Sequence, residues 1–278
     1  MLSGPWPAGL TPPRSRSRTD IASANSVNDS DLPILPPGYR LIARDVVGST
    51  NDEARDLIAA GASQGAVVWA ESQTAGRGRH GRDWTSPPGN LYCSIVMRPK
   101  VDPAHLAEIA FVAALSVRDA IAPILPSDVP VEFKWPNDVL AGGRKVSGIL
   151  VEAEKLPDEA RTALIVGVGV NIVSAPREAA YPATCISALT RAPRVSRLLT
   201  SLVAALDRRV ELWTRNGFAA IRQEWMDHAY GVGGSVTASS GISGTFTGLD
   251  ETGAIIIATK DGEQRRLVSG SVRFSEMG

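Results

Sequence analysis

The sequence has 278 residues, of which 44% are hydrophobic and 21% are charged, with a mean hydropathy of −0.01. This composition is typical of a soluble globular protein and excludes collagen, coiled coils and wholesale disorder. Basic and acidic residues number 29 each, so the chain lacks the bulk positive field that holds polyanions nonspecifically. At roughly 150 residues per domain, the length predicts one large domain or a large one with a small one.

The sequence shows neither a membrane span nor a secretion signal. Its longest nearly apolar run, residues 163–173, is interrupted by glycines and falls well short of the roughly 20 residues that a spanning helix needs. The N-terminus lacks a charged start followed by an apolar stretch. Cys93 and Cys185 are isolated and lack metal-ligand spacing, as is typical of reduced thiols. We therefore expect a cytoplasmic protein without a membrane partner.

Residues 1–38 are predicted to be a disordered tail. They hold seven of the nineteen prolines and show no apolar period of either 2 or 3.6. Arginines 14, 16 and 18 alternate with serines. Such a pattern can touch nucleic acid, but a solvated tail is the favoured interpretation.

Residues 39–230 are predicted to form a mixed α/β domain. The predicted strands are Tyr39–Val47, Ala66–Glu71, Asn90–Arg98, Val131–Trp135, Lys145–Glu154 and Ala163–Ile172. The predicted helices are one from a Thr50–Glu53 capping box to near Gly61, then Ala104–Leu125, Val195–Arg215 and Phe218–His228. Residues 231–278 contain short β runs punctuated by glycine, including Gly253–Thr259 and Leu267–Val272, and are predicted to form a small β-barrel.

Residues 75–84, with the sequence AGRGRHGRDW, carry the strongest chemical signal. Three glycines and three arginines fall within seven residues, which gives a backbone that can wrap a ligand and planar donors for phosphate or carboxylate. The pattern indicates a small polyanionic ligand. The alternative is a solvated arginine–glycine linker that binds single-stranded nucleic acid. The position between two strands, ending in Trp84, favours the ligand.

A second segment, KWPND at residues 134–138, presents an amide and a carboxylate after a strand. Asp138 is a candidate ligand for Mg²⁺ or a ribose hydroxyl, although an Asn–Asp pair is also a common turn. Lys145 opens the next strand, and Gly148 within it indicates a close approach to the backbone.

The third segment is GVGVN at residues 167–171. Its alternate glycines leave one face of a strand bare, so that a flat ring or another backbone can lie there. Asn171 at its end offers both donors and acceptors. The GxGxxG spacing of a dinucleotide fingerprint is missing.

These segments together resemble the biotin protein ligases. The family's motifs match Ser49-Thr50-Asn51, GRGRHGRDW, KWPND, Gly143-Arg-Lys145 with Gly148, and GVGVN, in order and rough spacing over about residues 40–275. The resemblance implies an α+β fold. Residues 39–230 would form a mixed-sheet catalytic domain of the class II aminoacyl-tRNA synthetase-like, biotin/lipoate ligase type, followed by an Src-homology-3-like β-barrel at residues 231–278.

The resemblance also implies a two-step reaction. Biotin would attack ATP, with Mg²⁺, to give biotinyl-adenylate and pyrophosphate. A lysine of the biotin carboxyl carrier domain of an acyl-CoA carboxylase would then take the acyl group. No tightly bound prosthetic group and no DNA partner are implied, because a tail stands where many bacterial relatives carry a DNA-binding domain.

The family's site residues carry over by position. The implied catalytic residues are Lys145, Arg77 and Arg79. The implied biotin-binding residues are Ser49, Thr50, Asn51, Gln73, Gly76, Arg77, Gly78, Arg79, Lys145 and Gly148. The implied ATP and adenylate residues are Arg79, Arg82, Trp84, Lys134, Asn137, Asp138, Lys145 and Asn171, with Asp138 as the Mg²⁺ ligand. Ser271 stands where an acidic residue is expected, which argues against contact between the C-terminal module and ATP.

Two alternative functions are compatible with these motifs. A lipoate protein ligase would keep the fold and the adenylate strategy and change the acid. A biotin-responsive regulator would bind the ligand without turnover. The GRGRHG and KWPND segments favour a biotin ligase, while the oligomeric state and the particular carboxylase acceptor stay open.

Overall fold

The computed structural model describes residues 32–155, 162–176 and 181–274. Most of the predicted tail therefore lies outside the described residues, and its disorder stays a prediction. Residues 32–38 contain no helix or strand. Leu35 packs against the core, and the backbone N–H of Ile34 donates to Thr200 Oγ1 at 2.9 Å.

A seven-stranded mixed sheet forms the main domain. Its strands are β1 Arg40–Val47, β2 Ala66–Gln73, β3 Leu91–Met97, β4 Val131–Lys134, β5 Asp138–Ala141, β6 Arg144–Lys155 and β7 Thr162–Val170. They lie in the order β1-β2-β3-β7-β6-β5-β4. The β1–β2 pair is parallel and the other neighbours are antiparallel.

Helices cover both faces of this sheet. They are α1 Thr50–Ala59, α2 Ile109–Ile121, α3 Val195–Asn216 and α4 Phe218–Asp227. The alternating residues of β3 divide between two cores: Ile95 packs with α2 and α3, whereas Val96 packs with α1. Every residue of β3 is buried as a result, as is typical of a strand covered on both sides. Among the described residues, no helix has the length and apolarity to cross a membrane.

Three features of the main domain differ from the prediction. The long helix predicted at Ala104–Leu125 is an α-helix only over Ile109–Ile121, flanked by 3₁₀ turns, because Pro103 and Pro123 lack the N–H that a continuous helix needs. The N-cap of α1 is Ser49 and not Thr50, since Ser49 Oγ accepts from the Asn51 N–H at 3.3 Å. Asp138 begins strand β5 instead of ending a turn.

The C-terminal unit is a five-stranded antiparallel sheet, as the predicted small β-domain requires. Its strands are β8 Ser235–Ala238, β9 Ser243–Leu249, β10 Ile255–Ala258, β11 Gln264–Leu267 and β12 Val272–Phe274, in the order β11-β10-β9-β8-β12. The predicted run Leu267–Val272 is wrong as one strand, because residues 268–271 separate β11 from β12. Trp135 joins the two units by donating from Nε1 to the Gly253 carbonyl at 3.1 Å.

Candidate active site

One cleft of about 420 Å³ opens along the main sheet, between the segment at residues 77–85 and the start of β12. It gathers the three chemical segments of the sequence, although they are up to about a hundred residues apart. The predicted site residues that line it are Ser49, Thr50, Asn51, Gln73, Arg77, Gly78, Arg79, Arg82, Trp84, Lys134, Asn137, Asp138, Lys145, Gly148 and Asn171.

Gly76 is the predicted site residue that does not line the cleft. A Cβ atom at Gly76 would lie 2.5 Å from the Trp84 carbonyl and 2.6 Å from Ser86 Oγ. The Trp84 N–H donates to the Gly76 carbonyl at 2.9 Å. Gly76 therefore allows the two ends of the arginine–glycine loop to touch.

The N-terminus of α1 supplies a closed hydrogen-bonding pocket at one end of the cleft. The Thr50 N–H donates to Gln73 Oε1 at 2.8 Å, and Ser94 Oγ lies 2.7 Å from Thr50 Oγ1 and 2.6 Å from Asn51 Oδ1. Asn51 Nδ2 donates to Glu152 Oε2 at 2.7 Å. Because Asn51 Oδ1 can only accept, the Ser94 hydroxyl must donate to it, and this fixes the orientation of the amide. Sequence reasoning missed Ser94 and Glu152.

Gln73 is oriented from its other side. Its Nε2 donates to Ser86 Oγ at 2.8 Å, and the Ser86 hydroxyl donates to the Trp84 carbonyl at 2.7 Å. Gln73 Oε1 therefore faces Thr50, and the loop that carries Trp84 is tied to the pocket wall.

The bare glycine face of β7 is covered by a ring of the protein itself. A Cβ atom at Gly169 would lie 2.6 Å from the Trp84 indole, and one at Gly148 would lie 2.8 Å from it. These two glycines pair across β6 and β7. The sequence left open whether a flat ring or another backbone lies on this face, and the occupant at Gly169 is the Trp84 ring.

A β-bulge brings Lys145 onto the cleft face of β6. Leu140 pairs with Lys145 and Val139 with Ser147, so the register shifts at Val146. Lys145 and Gly148 are an odd number of residues apart and would face opposite sides of a regular strand. The bulge places both on one side, with Lys145 Cε 3.4 Å from a Cβ built at Gly148.

Positive groups surround one carboxylate at the other end of the cleft. Lys145 Nζ lies 2.6 Å from Asp138 Oδ1 and 5.2 Å from the centroid of the Trp84 ring. Lys134 is 8% exposed, and its Nζ lies 4.7 Å from the centroid of the Tyr181 ring. Burial lowers the pKa of Lys134. The neighbouring cations lower this pKa further, while the carboxylate of Asp138 raises it. The cationic groups at this end of the cleft therefore outnumber the carboxylates, as expected for a site that binds an anion.

The loop arginines point in different directions. Arg79 Nη1 donates to the Gly270 carbonyl at 3.3 Å, and burial lowers the pKa of Arg79. Arg77, by contrast, directs both Nη atoms to Asp52, each at 2.6 Å from a carboxylate oxygen. At the tip, His80 adopts the left-handed conformation with φ 57°, which is uncommon outside glycine. No pattern in the sequence indicates the pairing of Arg77 with Asp52.

The two cleft asparagines are partly used by the fold. Asn137 Nδ2 donates to the Ile149 carbonyl at 2.7 Å, and Asn171 Nδ2 donates to the Thr184 carbonyl at 3.1 Å. In each case the side-chain oxygen and the second N–H are not used by these bonds. Both residues therefore shape the wall and keep capacity for a ligand.

The C-terminal unit reaches the cleft through Ser271 and Arg273. Sequence reasoning did not identify Arg273, whose charge acts on Lys134. Its position alternates with that of the buried Val272 in β12, a signal too short to use in a three-residue strand.

The carboxylates of the cleft suit a metal that arrives with a ligand. Among the described residues, no three His, Cys, Asp or Glu side chains are placed to hold an ion. Asp83 and Asp138 line the cleft. Magnesium in nucleotide sites usually takes one or two protein carboxylates and completes its shell with phosphate and water. Asp138, beside the cationic groups, fits that pattern.

Comparison with known proteins identifies the family. Residues 44–171 match the Biotin/lipoate A/B protein ligase family, and residues 235–275 match the Biotin protein ligase C terminal domain. A biotin–[acetyl-CoA-carboxylase] ligase from Paracoccus denitrificans is 37% identical over 225 residues, covering 78% of this chain and 93% of its own. Another from Mycobacterium tuberculosis is 35% identical over 208 residues, covering 72% and 74% respectively.

Solved structures agree with the sequence relatives. The biotin protein ligase from Aquifex aeolicus in complex with biotin and ATP superposes with a TM-score of 0.74 at 30% identity, covering 85% of this chain and 99% of its own. The match includes both the mixed-sheet domain and the C-terminal antiparallel sheet, and the cleft contains the motifs that first indicated the resemblance. This chain is therefore a ligase that belongs to the biotin protein ligase family.

Proposed function

We propose that this chain activates biotin with ATP and transfers it to a lysine of the biotin carboxyl carrier domain of an acyl-CoA carboxylase. The observation that carries the proposal is the polarity of the cleft. A neutral hydrogen-bonding pocket at Thr50, Asn51 and Gln73 adjoins a cationic end at Lys145 and Lys134, with the Trp84 indole between them. Biotin has the same order of groups, from ureido ring through apolar body to carboxylate. Trp84, which the resemblance assigns to the adenylate, would therefore also contact the apolar body of biotin.

In the first step, a biotin carboxylate oxygen attacks the α-phosphorus of ATP, and the bond to the pyrophosphate leaving group breaks. Two anions must meet, so positive charge fixed in a partly dry site lowers the barrier. Lys145 would contact both groups, while Lys134, Arg79 and Arg82 would hold the phosphates. Asp138 would hold Mg²⁺ carried by ATP, an ion that neutralises phosphate charge and orients the phosphates.

In the second step, the acceptor amine attacks the acyl carbon and AMP leaves. The mixed anhydride hydrolyses readily in water, so the loop at residues 77–82 has to cover it until the acceptor arrives. The same loop forms one wall of the cleft and reaches the C-terminal unit through Arg79. Asn137 and Asn171 would contact the nucleotide.

Lipoate is the less suitable acid for this pocket. Its dithiolane ring offers no N–H or C=O group, so it would displace water from the pocket without exchanging hydrogen bonds with Ser49, Thr50, Asn51 or Gln73. A site built around hydrogen bonds rejects such an analogue strongly.

Cytoplasmic localisation and the lack of a DNA partner stay predictions. Cys93 and Cys185 are free thiols, and burial raises the pKa of Cys93 to about 12. Burial explains why Cys93 is unreactive, and the presence of two free thiols without a disulfide is what supports a reducing compartment.

The proposal is tested by pyrophosphate exchange into ATP with Mg²⁺, run separately with biotin, lipoate and octanoate. We expect exchange with biotin, followed by labelling of an added biotinyl-acceptor domain. Exchange with lipoate or octanoate alone would assign the chain to the sister ligases. Biotin binding without exchange would make it a regulator.

A further inference from the structure

Asp52, in the first turn of α1, is bound to the base of the arginine–glycine loop. Asp52 Oδ2 accepts from Arg77 Nη1 and Oδ1 from Arg77 Nη2, both at 2.6 Å. This is the paired fork geometry in which a guanidinium binds a carboxylate most strongly. Asp52 is not among the residues that line the cleft. Its contact with Arg77 therefore acts on the position of the loop.

The pair is charged under physiological conditions. The hydrogen bonds from Arg77 hold the pKa of Asp52 below its usual value, with a further contribution from Arg55. Arg55 Nη1 lies 2.5 Å from Asp52 Oδ1. Asp52 is thus shared between a cation on its own helix and a cation on the loop.

The same network reaches the hydrogen-bonding pocket. Arg55 Nη2 lies 3.1 Å from Glu152 Oε2, and that oxygen also accepts from Asn51 Nδ2 at 2.7 Å. The chain of contacts from Arg77 through Asp52, Arg55 and Glu152 ends on Asn51. The loop base and a pocket side chain are therefore held by one set of ion pairs.

The rest of the loop has weaker connections to the body of the protein. At the tip, Arg79 reaches the Gly270 carbonyl at 3.3 Å, and His80 and Gly81 have positive φ. The bond from the Gly78 N–H to the Arg82 carbonyl lies within the loop itself. A segment of this kind needs an anchor at its base if it is to stay over the cleft without a ligand.

We propose that Asp52 is a positioning residue, which holds Arg77 and the loop base against α1 before substrates bind and so keeps the adenylate in the cleft. The part of this inference that concerns the adenylate rests on the proposed function. The part that concerns the loop does not, because it is a property of the ligand-free protein.

The test compares the full chain with Asp52→Asn, which keeps the size of the side chain and removes its charge. Limited trypsin digestion of ligand-free protein, read by mass spectrometry, reports cleavage after Arg77, Arg79 and Arg82. The second readout is the rate at which free adenylate is released when the protein is supplied with biotin and ATP but no acceptor. We expect the cleavage rate and the release rate each to rise about fivefold in Asp52→Asn, which corresponds to the loss of a half-exposed ion pair. The conservative variant Asp52→Glu keeps the carboxylate, so its cleavage rate and adenylate release rate should both stay close to those of wild type.

Glu53→Gln is the matched control. Glu53 is also acidic, lies in the same turn and has an ion pair, but its partner is Arg44 on β1, at 3.2 Å. We expect wild-type loop cleavage and adenylate release in this variant. Equal cleavage in Asp52→Asn and wild type would overturn the proposal, and so would equal rises in both variants. If wild type forms no adenylate, the proposed function fails while the cleavage comparison still decides the role of Asp52.

Discussion

Lys145 and Asp138 form an ion pair across neighbouring strands, with Nζ 2.6 Å from Oδ1. The pair depends on the bulge at Val146, because without the register shift Lys145 would face the core. The carboxylate holds the ammonium in the cleft in the absence of substrates. An arriving phosphate then meets a cation that is already oriented, which lowers the reorganisation needed during the reaction.

Replacing Lys145 with alanine should abolish adenylate formation and leave the fold intact. The variant removes the cation nearest to the carboxylate and α-phosphate, a loss that we expect to reduce the rate at least about 100-fold. Biotin-dependent pyrophosphate exchange measures the effect. Lys155→Ala, an exposed change on the same strand, is the control and should keep wild-type exchange. Near-normal turnover in Lys145→Ala would remove this lysine from the mechanism.

The sequence predicted which residues form the site better than it predicted the contacts between them. The glycines of residues 167–171 correctly indicated a bare strand face, because alternation along a strand is a local property. The occupant of that face, Trp84, comes from a distant segment. Lys145 could be named, but its direction depends on a bulge that no local pattern encodes.

Other misses have similar causes. Ser49 and Thr50 are both good capping residues, and the bond between Thr50 and Gln73 decides which of them caps α1. Ser94 lies in a strand buried on both faces, so no alternation marks it as polar. Asp52 resembles any solvated acidic residue at a helix start, since its partner lies 25 residues away.

Gly169→Ala should impair biotin binding by displacing the indole of Trp84. The added Cβ would lie 2.6 Å from the ring, closer than such contacts allow, so the ring or the strand must move. We expect the KM for biotin to rise about tenfold or more, as for a misplaced binding wall. Steady-state exchange at varied biotin measures it.

Gly48→Ala is the control for adding a methyl group near the cleft. A Cβ at Gly48 meets nothing within 4 Å, and its φ lies outside the left-handed region. This variant should keep the wild-type KM. An unchanged KM in Gly169→Ala would show that the indole does not form the wall that biotin contacts.

As the pH rises, the site should begin to lose affinity for ATP at a lower pH than a site with an ordinary lysine would. Burial lowers the pKa of Lys134 from its usual 10.5, so the ammonium loses its proton, and its attraction for phosphate, before that pH. The KM for ATP is expected to rise with pH in this window. In Lys134→Arg the guanidinium stays charged, so the rise should be smaller. Identical pH profiles would exclude titration of Lys134 as the cause.

The same shift has a consequence for stability. Because the folded-state pKa of Lys134 is lower than that of the unfolded chain, the unfolded state binds more protons between the two values. Lys134 thus makes the free energy of unfolding increase with pH from the folded pKa up to about 10.5. Urea unfolding of wild type and Lys134→Arg across this range isolates the contribution.

Trp135→Phe should weaken the connection between the two units. The substitution removes the Nε1–H that donates to the Gly253 carbonyl at 3.1 Å, and both residues are buried. Leaving a buried carbonyl without its donor costs about 1–3 kcal/mol. Trp69→Phe is the matched control, because Trp69 Nε1 is buried without a hydrogen-bond partner among the described residues. Urea unfolding should therefore give a larger loss for Trp135→Phe, and equal losses would mean that the Gly253 bond contributes nothing to stability.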